Sequence, residues 1–192
     1  MAQHRDVRPG YTVIHPNRDR VICKLTRIFV VIVLLISVAL MLAVTVGGWS
    51  KLEGMTPINF VWCALYVVIA FFIARWARGL LPIAGVLGLL LLAIALIASV
   101  GFGGTSWFDR SNASYGAAHA LGGGQGLSSD TIGTLVLLLV PVELVLILVA
   151  VVGFAQGWNV ELEVPDEEAA ARRSGGGGRQ ETRFGGGRTA AT

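Results

Sequence analysis

The stretch LVPVELVL, Leu139 to Leu146, sets one carboxylate, Glu143, in a run that otherwise holds almost nothing but Leu, Val and Ile. An acid at the centre of a membrane-crossing helix costs about 2.5 to 3.5 kcal/mol on insertion scales, so the fold must supply a compensating partner. No Lys, Arg or His lies within any of the chain's four apolar blocks, which excludes an ion pair at that depth within one chain. The neutral acid, which both donates and accepts hydrogen bonds, is the form that suits hydrocarbon. Pro141, two residues earlier, has no N–H for the Leu137 carbonyl, and predicts a helix kink with a freed polar oxygen at the same depth. The midpoints of the first two apolar blocks are Ser37 and Tyr66. Glu143, Tyr66 and Ser37 are therefore expected to form one intramembrane polar layer, with Pro141 as the kink beside it.

Such a layer can do one of two things. It can hold helices together through hydrogen bonds, or it can bind and release a proton or cation. Along the helical face of Glu143, Val136, Val140, Ile147 and Ala150 add no further polar atom. A conducting path normally carries polar groups on successive turns, so interhelical adhesion is the favoured reading. His4, His15 and His119 are scattered and lack metal-ligand spacing. The glycine runs, such as GGGGR, lack the preceding strand and following helix of a phosphate loop. No nucleophile with a base and an orienting acid can be named, so the reading assigns no catalytic residue, cofactor or metal ligand, and the chain is not expected to be an enzyme.

The elements that position the layer follow from composition. The chain is 54% hydrophobic and 14% charged, and its charges fall almost wholly outside blocks at about residues 28–46, 58–74, 80–102 and 132–154. Each is close to the roughly 20 residues that cross about 30 Å of hydrocarbon as a helix. The fold class is thus an all-α membrane protein: a four-transmembrane-helix bundle with short cytoplasmic extended segments and a disordered Gly/Arg C-terminal tail. Residues 1–27 form a cytoplasmic arm and 28–154 the membrane domain. Residues 155–173 carry a cytoplasmic strand and short helix, and 174–192 the tail. The polar segment before the first block, and the lack of an A-x-A site after it, read as a retained anchor rather than a cleaved signal.

Lys and Arg number 15, and all but Lys51 and Arg110 lie in the arm, the second connection or the C-terminal segment. The positive-inside rule then places both termini in the cytoplasm of a multi-pass plasma-membrane protein. Within the arm, GYTVIHP alternates between a bounding Gly10 and Pro16; after the fourth block, WNVELEVP alternates and stops at Pro165. Residues 11–15 and 159–164 are expected to pair as a ribbon. DEEAAARR, from Asp166, reads as a two-turn helix with acids at its start and a Glu168–Arg172 pair. The tail holds too little apolar surface to offset its ordering entropy. With Phe184 alone to stack on a base, it reads as a tether touching anionic lipid heads, not as a nucleic-acid binder.

Small-residue rows mark expected contact faces: Ala39, Ala43 and Gly47 in the first span, Ala84 with Gly88 and Ala95 with Ser99 in the third, and Ala150, Gly153 and Gly157 at the end of the fourth. Trp107, Phe108 and Tyr115 are expected in the headgroup layer, and Asp130 as the cap of the fourth span. Cys23 and Cys63 lie at opposite membrane faces and read as small buried thiols.

The segments RPGYTVIHPNRDR, GWSKLEGMTPINF, TSWFDR and FAQGWNVELEVP, in this order around four spans, resemble four-span membrane proteins of high-GC Gram-positive bacteria. The resemblance covers the chain to about Pro165 and implies a fold but no activity. Four spans with one membrane glutamate also resemble small multidrug transporters. There the acid lies in the first span, and here in the fourth, so no residue role is carried across. The expected function is an integral membrane accessory or interaction protein, with membrane lipids and other membrane-protein subunits or further copies of itself as partners. The alternative is a small oligomeric proton- or cation-coupled transporter or channel using Glu143.

Overall fold

The computed structural model describes residues 9–52, 55–100, 121, 123–124, 126–158 and 160–174. They form two compact units, one of residues 15–160 and one built from segments before residue 15 and after residue 160. In the first unit, four helices are long and apolar enough to cross a membrane, so the chain is a multi-pass membrane protein. They are α2 (Val21–Gly47), α3 (Thr56–Ala74), α4 (Leu81–Val100) and α5 (Ser129–Ala155), preceded by the short α1 (Pro16–Asp19). A membrane interior leaves no water for an open backbone group, which is why such uninterrupted apolar runs become helices.

Along α2 the enclosed face is Val30, Val33, Leu34, Ser37, Val38, Met41 and Val44, recurring every three or four residues. The opposite face, with Ile32, Leu35 and Ile36, is exposed. A helix that is apolar all round but buried on one stripe only is what a lipid-facing span requires. α4 and α5 pack along their lengths, α2 packs on both α3 and α5, and α3 and α4 barely touch.

The connections are set by local chemistry. The Gly48 N–H closes α2 on the Val44 carbonyl at 2.8 Å. A Cβ on Gly47 would meet the end of the Leu127 side chain, which would have to turn aside, so glycine lets Leu127 pack directly on the helix end. Pro57 stands in the first turn of α3, where its missing N–H costs nothing. After α3 the chain reverses at Trp76, whose φ of 70° lies in the left-handed region. That conformation costs a non-glycine residue about 1 to 3 kcal/mol. The indole offsets it by meeting the enclosed Trp158 edge-on at 5.7 Å and lying 4.1 Å beneath the Arg27 guanidinium.

Orphan carbonyls at the C-terminus of α5 find side-chain donors. Asn17 Nδ2 donates to the Gln156 and Gly157 carbonyls at 3.2 and 2.9 Å, and Arg78 Nε to that of Phe154 at 2.9 Å. Gln156 in turn donates to Thr26 Oγ1 and accepts from Trp158 Nε1.

The second unit holds an antiparallel ribbon of β1 (Tyr11–Ile14) and β2 (Leu162–Pro165), with Thr12 opposite Val164 and Val13 opposite Glu163. The helix α6 (Asp166–Ser174) follows directly, with Asp166, Glu167 and Glu168 in its first turn. The Asp166 N–H bonds the Gly10 carbonyl at 3.0 Å, and Thr12 Oγ1 donates to the Asp166 carboxylate.

Several expectations need correction. The ribbon forms, but β2 lies later than residues 159–164 and includes Pro165, which sits at the strand end opposite Tyr11. The cap of α5 is Ser128, not Asp130. Ser128 has the extended backbone a cap needs and accepts from the Thr131 N–H, while Asp130 lies inside the first turn. Ala39 and Ala43 are exposed, so the α2 contact face is the larger-residue stripe above; Ala84, Ala95, Ala150 and Gly153 are buried. Helix α2 starts at Val21, well before the apolar block. Cys23 and Cys63 are both free and buried. The expected headgroup residues Trp107, Phe108 and Tyr115, the Arg172 side chain and the tail beyond Ser174 lie outside the described residues.

The register can be checked by crosslinking. Directly opposed residues on an antiparallel pair have Cα atoms about 4.5 to 5.5 Å apart, within disulfide reach. With Cys23 and Cys63 replaced by Ala, Thr12→Cys/Val164→Cys is expected to form an intramolecular disulfide under mild oxidant. Thr12→Cys/Glu163→Cys, on opposite faces, is expected to stay reduced; equal crosslinking of both pairs would contradict the register.

Candidate functional site

Glu143 lies on α5, Tyr66 on α3 and Ser37 on α2, and each is wholly enclosed, with 0% of its surface exposed. Helix α5 runs unbroken from Ser129 to Ala155 with Pro141 inside it on an exposed face. The proline ring therefore points away from the carboxyl two residues on. The Tyr66 hydroxyl donates to Glu143 Oε2 at 3.0 Å, tying α3 to α5 across the interior.

Ser37 stands beside the carboxyl from the α2 side. Its Oγ makes no hydrogen bond of normal geometry, and neither does Glu143 Oε1. The layer is thus brought together by three helices, with one well-formed bond and two enclosed oxygens facing the same space. Around it the packing is apolar: Val136, Leu139, Leu146 and Ala150 are the buried neighbours of Glu143 on its own helix.

Two residues of the site escape a reading by residue type. Gly88 of α4 closes the fourth side. A Cβ there would lie 3.1 Å from Glu143 Oε2 and 3.4 Å from Leu146 and Ile147, so the missing side chain is what lets α4 approach the carboxyl. Its spacing from Ala84 signals close helix approach, but not which polar group it approaches. Trp62, one turn before Tyr66, sets its ring 6.4 Å from the Tyr66 ring, and its enclosed Nε1 makes no hydrogen bond of normal geometry. The i,i+4 spacing of Trp62 and Tyr66 was the available signal.

A second, smaller polar contact lies towards the α2–α3 turn. Asn59 Nδ2 donates to Thr45 Oγ1 at 3.1 Å, and Thr45, itself enclosed, donates to the Met41 carbonyl at 2.6 Å. Among the described residues no group of three or more His, Cys, Asp or Glu could hold a metal ion. His15 is in the short connection before α1, outside this layer.

What this arrangement can do follows from its donors and acceptors. A protonated carboxyl accepting from Tyr66 has one proton to offer and a serine hydroxyl beside it. That is enough to lock three helices in register, or to hold a single proton. No protein-family model, curated protein or solved structure matches the chain.

Interhelical hydrogen bonds in a membrane contribute about 0.6 to 2 kcal/mol each. Tyr66→Phe is therefore expected to destabilise the protein by about 1 kcal/mol in a mixed-micelle unfolding titration. Gly88→Val, which forces bulk against Glu143 Oε2, is expected to cost about 1 to 3 kcal/mol in the same titration. A Gly88→Val variant as stable as the wild type would contradict the close approach of α4.

Proposed function

We propose that the chain is an integral accessory or interaction protein of the plasma membrane, a four-helix bundle with both termini in the cytoplasm, in which Glu143 serves as an interhelical tie. One observation carries this reading: the carboxyl is completely enclosed and bonded to Tyr66 on another helix, while its own helix offers only apolar neighbours on the adjacent turns. A group that is sealed and unconnected holds structure rather than passing charge. The sidedness rests on the distribution of Lys and Arg. With little mass outside the spans, the ribbon and the acidic first turn of α6 are the available surface for other membrane-protein subunits or for further copies of the chain.

A second reading is favoured by a specific feature, the two enclosed oxygens, Glu143 Oε1 and Ser37 Oγ, that lack a well-formed bond. It makes the layer a single-site proton or cation carrier of a small oligomeric transporter or channel. The two readings differ in what a non-titrating isostere does. Under the first, Glu143→Gln keeps native assembly and the set of co-purifying proteins, while Glu143→Leu leaves Tyr66 unpaired and lowers stability by about 1 kcal/mol. Under the second, Glu143→Gln folds but abolishes pH-dependent flux in proteoliposomes. Wild-type flux that Glu143→Gln removes would overturn the tie.

Topology is tested separately. Single cysteines in the 103–130 connection are expected to react with a membrane-impermeant thiol reagent on intact cells, and cysteines beside Arg78 or Arg179 are not. Labelling beside Arg78 would reverse the orientation.

A further inference from the structure

Cations crowd the end of the spanning unit where α2 begins and where α3 and α5 finish. Residues 15–27 and 75–80 hold Arg18, Arg20, Lys24, Arg27, Arg75 and Arg78 against one acid, Asp19. The packing draws three of them to a single turn, although like charges repel. Arg27 Nη1 donates to the Ala74 carbonyl at 3.1 Å, the residue just before Arg75, and its guanidinium lies 4.1 Å from the centre of the Trp76 ring. Arg78, three residues beyond Arg75, donates from Nε to the Phe154 carbonyl at 2.9 Å and lies 4.4 Å from the centre of the Phe154 ring. Arg75 is exposed and lies 5.3 Å from the centre of the Phe71 ring on its own helix.

We infer that Arg27, Arg75 and Arg78 bind the headgroup phosphate of an anionic phospholipid in the bilayer that the helices cross. Among the described residues these three guanidinium groups meet only carbonyls and rings, which leave their charge unneutralised. Capping of helix ends accounts for one N–H of Arg27 and one of Arg78, out of the five each carries. It does not account for Arg75, or for three cations gathered without a carboxylate. The remaining N–H groups suit phosphate, whose oxygens a planar guanidinium meets two at a time. The carbonyl bonds and rings already hold Arg27 and Arg78 in place, so little side-chain freedom is lost on binding.

The surroundings select a lipid rather than a soluble phosphate. Phe71 and Phe154, beneath Arg75 and Arg78, are themselves exposed, as are Ile28 and Phe29 beside Arg27. Each cation therefore borders apolar surface at the end of a span, where a phospholipid presents its phosphate and its acyl chains together. Clusters of roughly four to eight Lys or Arg at the end of a membrane helix recognise anionic lipids in this way.

The test uses the full-length protein in detergent micelles and native mass spectrometry, with phosphatidylglycerol or phosphatidylcholine of the same acyl chains. Phosphatidylglycerol is expected to be retained severalfold more, with the preference shrinking as salt rises. Arg75→Gln, whose side chain ties no two helices together, is expected to fold and to reduce the preference severalfold, and Arg75→Gln/Arg78→Gln to remove it. Arg20→Gln/Lys24→Gln takes the same charge from the first turn of α2 and is expected to leave most of the preference intact. Equal loss in the two double variants would mean attraction to net charge alone and would overturn the site. Equal retention of the two lipids by the wild type, or an undiminished preference in folded Arg75→Gln, would overturn it too. Excess glycerol 3-phosphate is expected to leave phosphatidylglycerol bound; its displacement would assign the site to a soluble phosphate instead of a lipid.

Discussion

Hydrocarbon cannot hydrogen-bond, and almost every feature of the spanning unit follows from that constraint. It makes the four apolar runs helical. It also makes the single acid among them the most expensive side chain in the chain, which is why Glu143 is enclosed to 0% exposure and met by the Tyr66 hydroxyl. α5 carries the acid, α3 the donor and α2 the neighbouring hydroxyl, while α4 contributes an absence: without a side chain at Gly88 the helices close over the carboxyl. The cost of one polar group thereby specifies a relation among four helices.

The same constraint acts at the helix ends, where backbone groups lose their intrahelical partners. The carbonyls at the end of α5 are met by Asn17 and Arg78, and the Gln156 side chain links Thr26 to Trp158. Arginine and tryptophan combine there. Arg27 lies over Trp76 while donating to the Ala74 carbonyl, and Arg78 lies over Phe154 while donating to its carbonyl. Each guanidinium thus meets a carbonyl oxygen and covers an aromatic face, and among the described residues charge is held at the edge of the apolar slab by these contacts rather than by an acidic partner.

The middle of the protein and its ends therefore serve different purposes. The polar layer ties helices at depth, and the aromatic and arginine contacts gather where α3 and α5 end, beside the N-terminal turns of α2. Between the layer and the α2–α3 turn the packing loosens into a sideways cleft, because α3 and α4 lack the close seam that α4 and α5 share. Tight packing of α4 on α5 keeps the acid enclosed.

How much of this was legible in the chain divides along the range of the interactions. The four spans are visible in composition, because each satisfies its own backbone and needs no partner to be recognised. The alternation of the two ribbon segments, and the depth shared by Ser37, Tyr66 and Glu143, come from local period and length. What could not be read is which faces meet. Ala39 and Ala43 look like a contact row yet face outward, and Val, Leu and Met fill the α2 interface instead. In an all-apolar helix no polar stripe distinguishes inside from outside. The choice falls to shape complementarity among helices distant in sequence. The same holds for Gly88 against Glu143 and for Trp76 in a left-handed turn, whereas Ser128 caps α5 through a local bond that residue type alone assigned to Asp130. Local chemistry establishes that an acid in hydrocarbon must have a partner. Only the packing of four separate helices selects Tyr66 as that partner and leaves the Ser37 hydroxyl beside it without a well-formed bond.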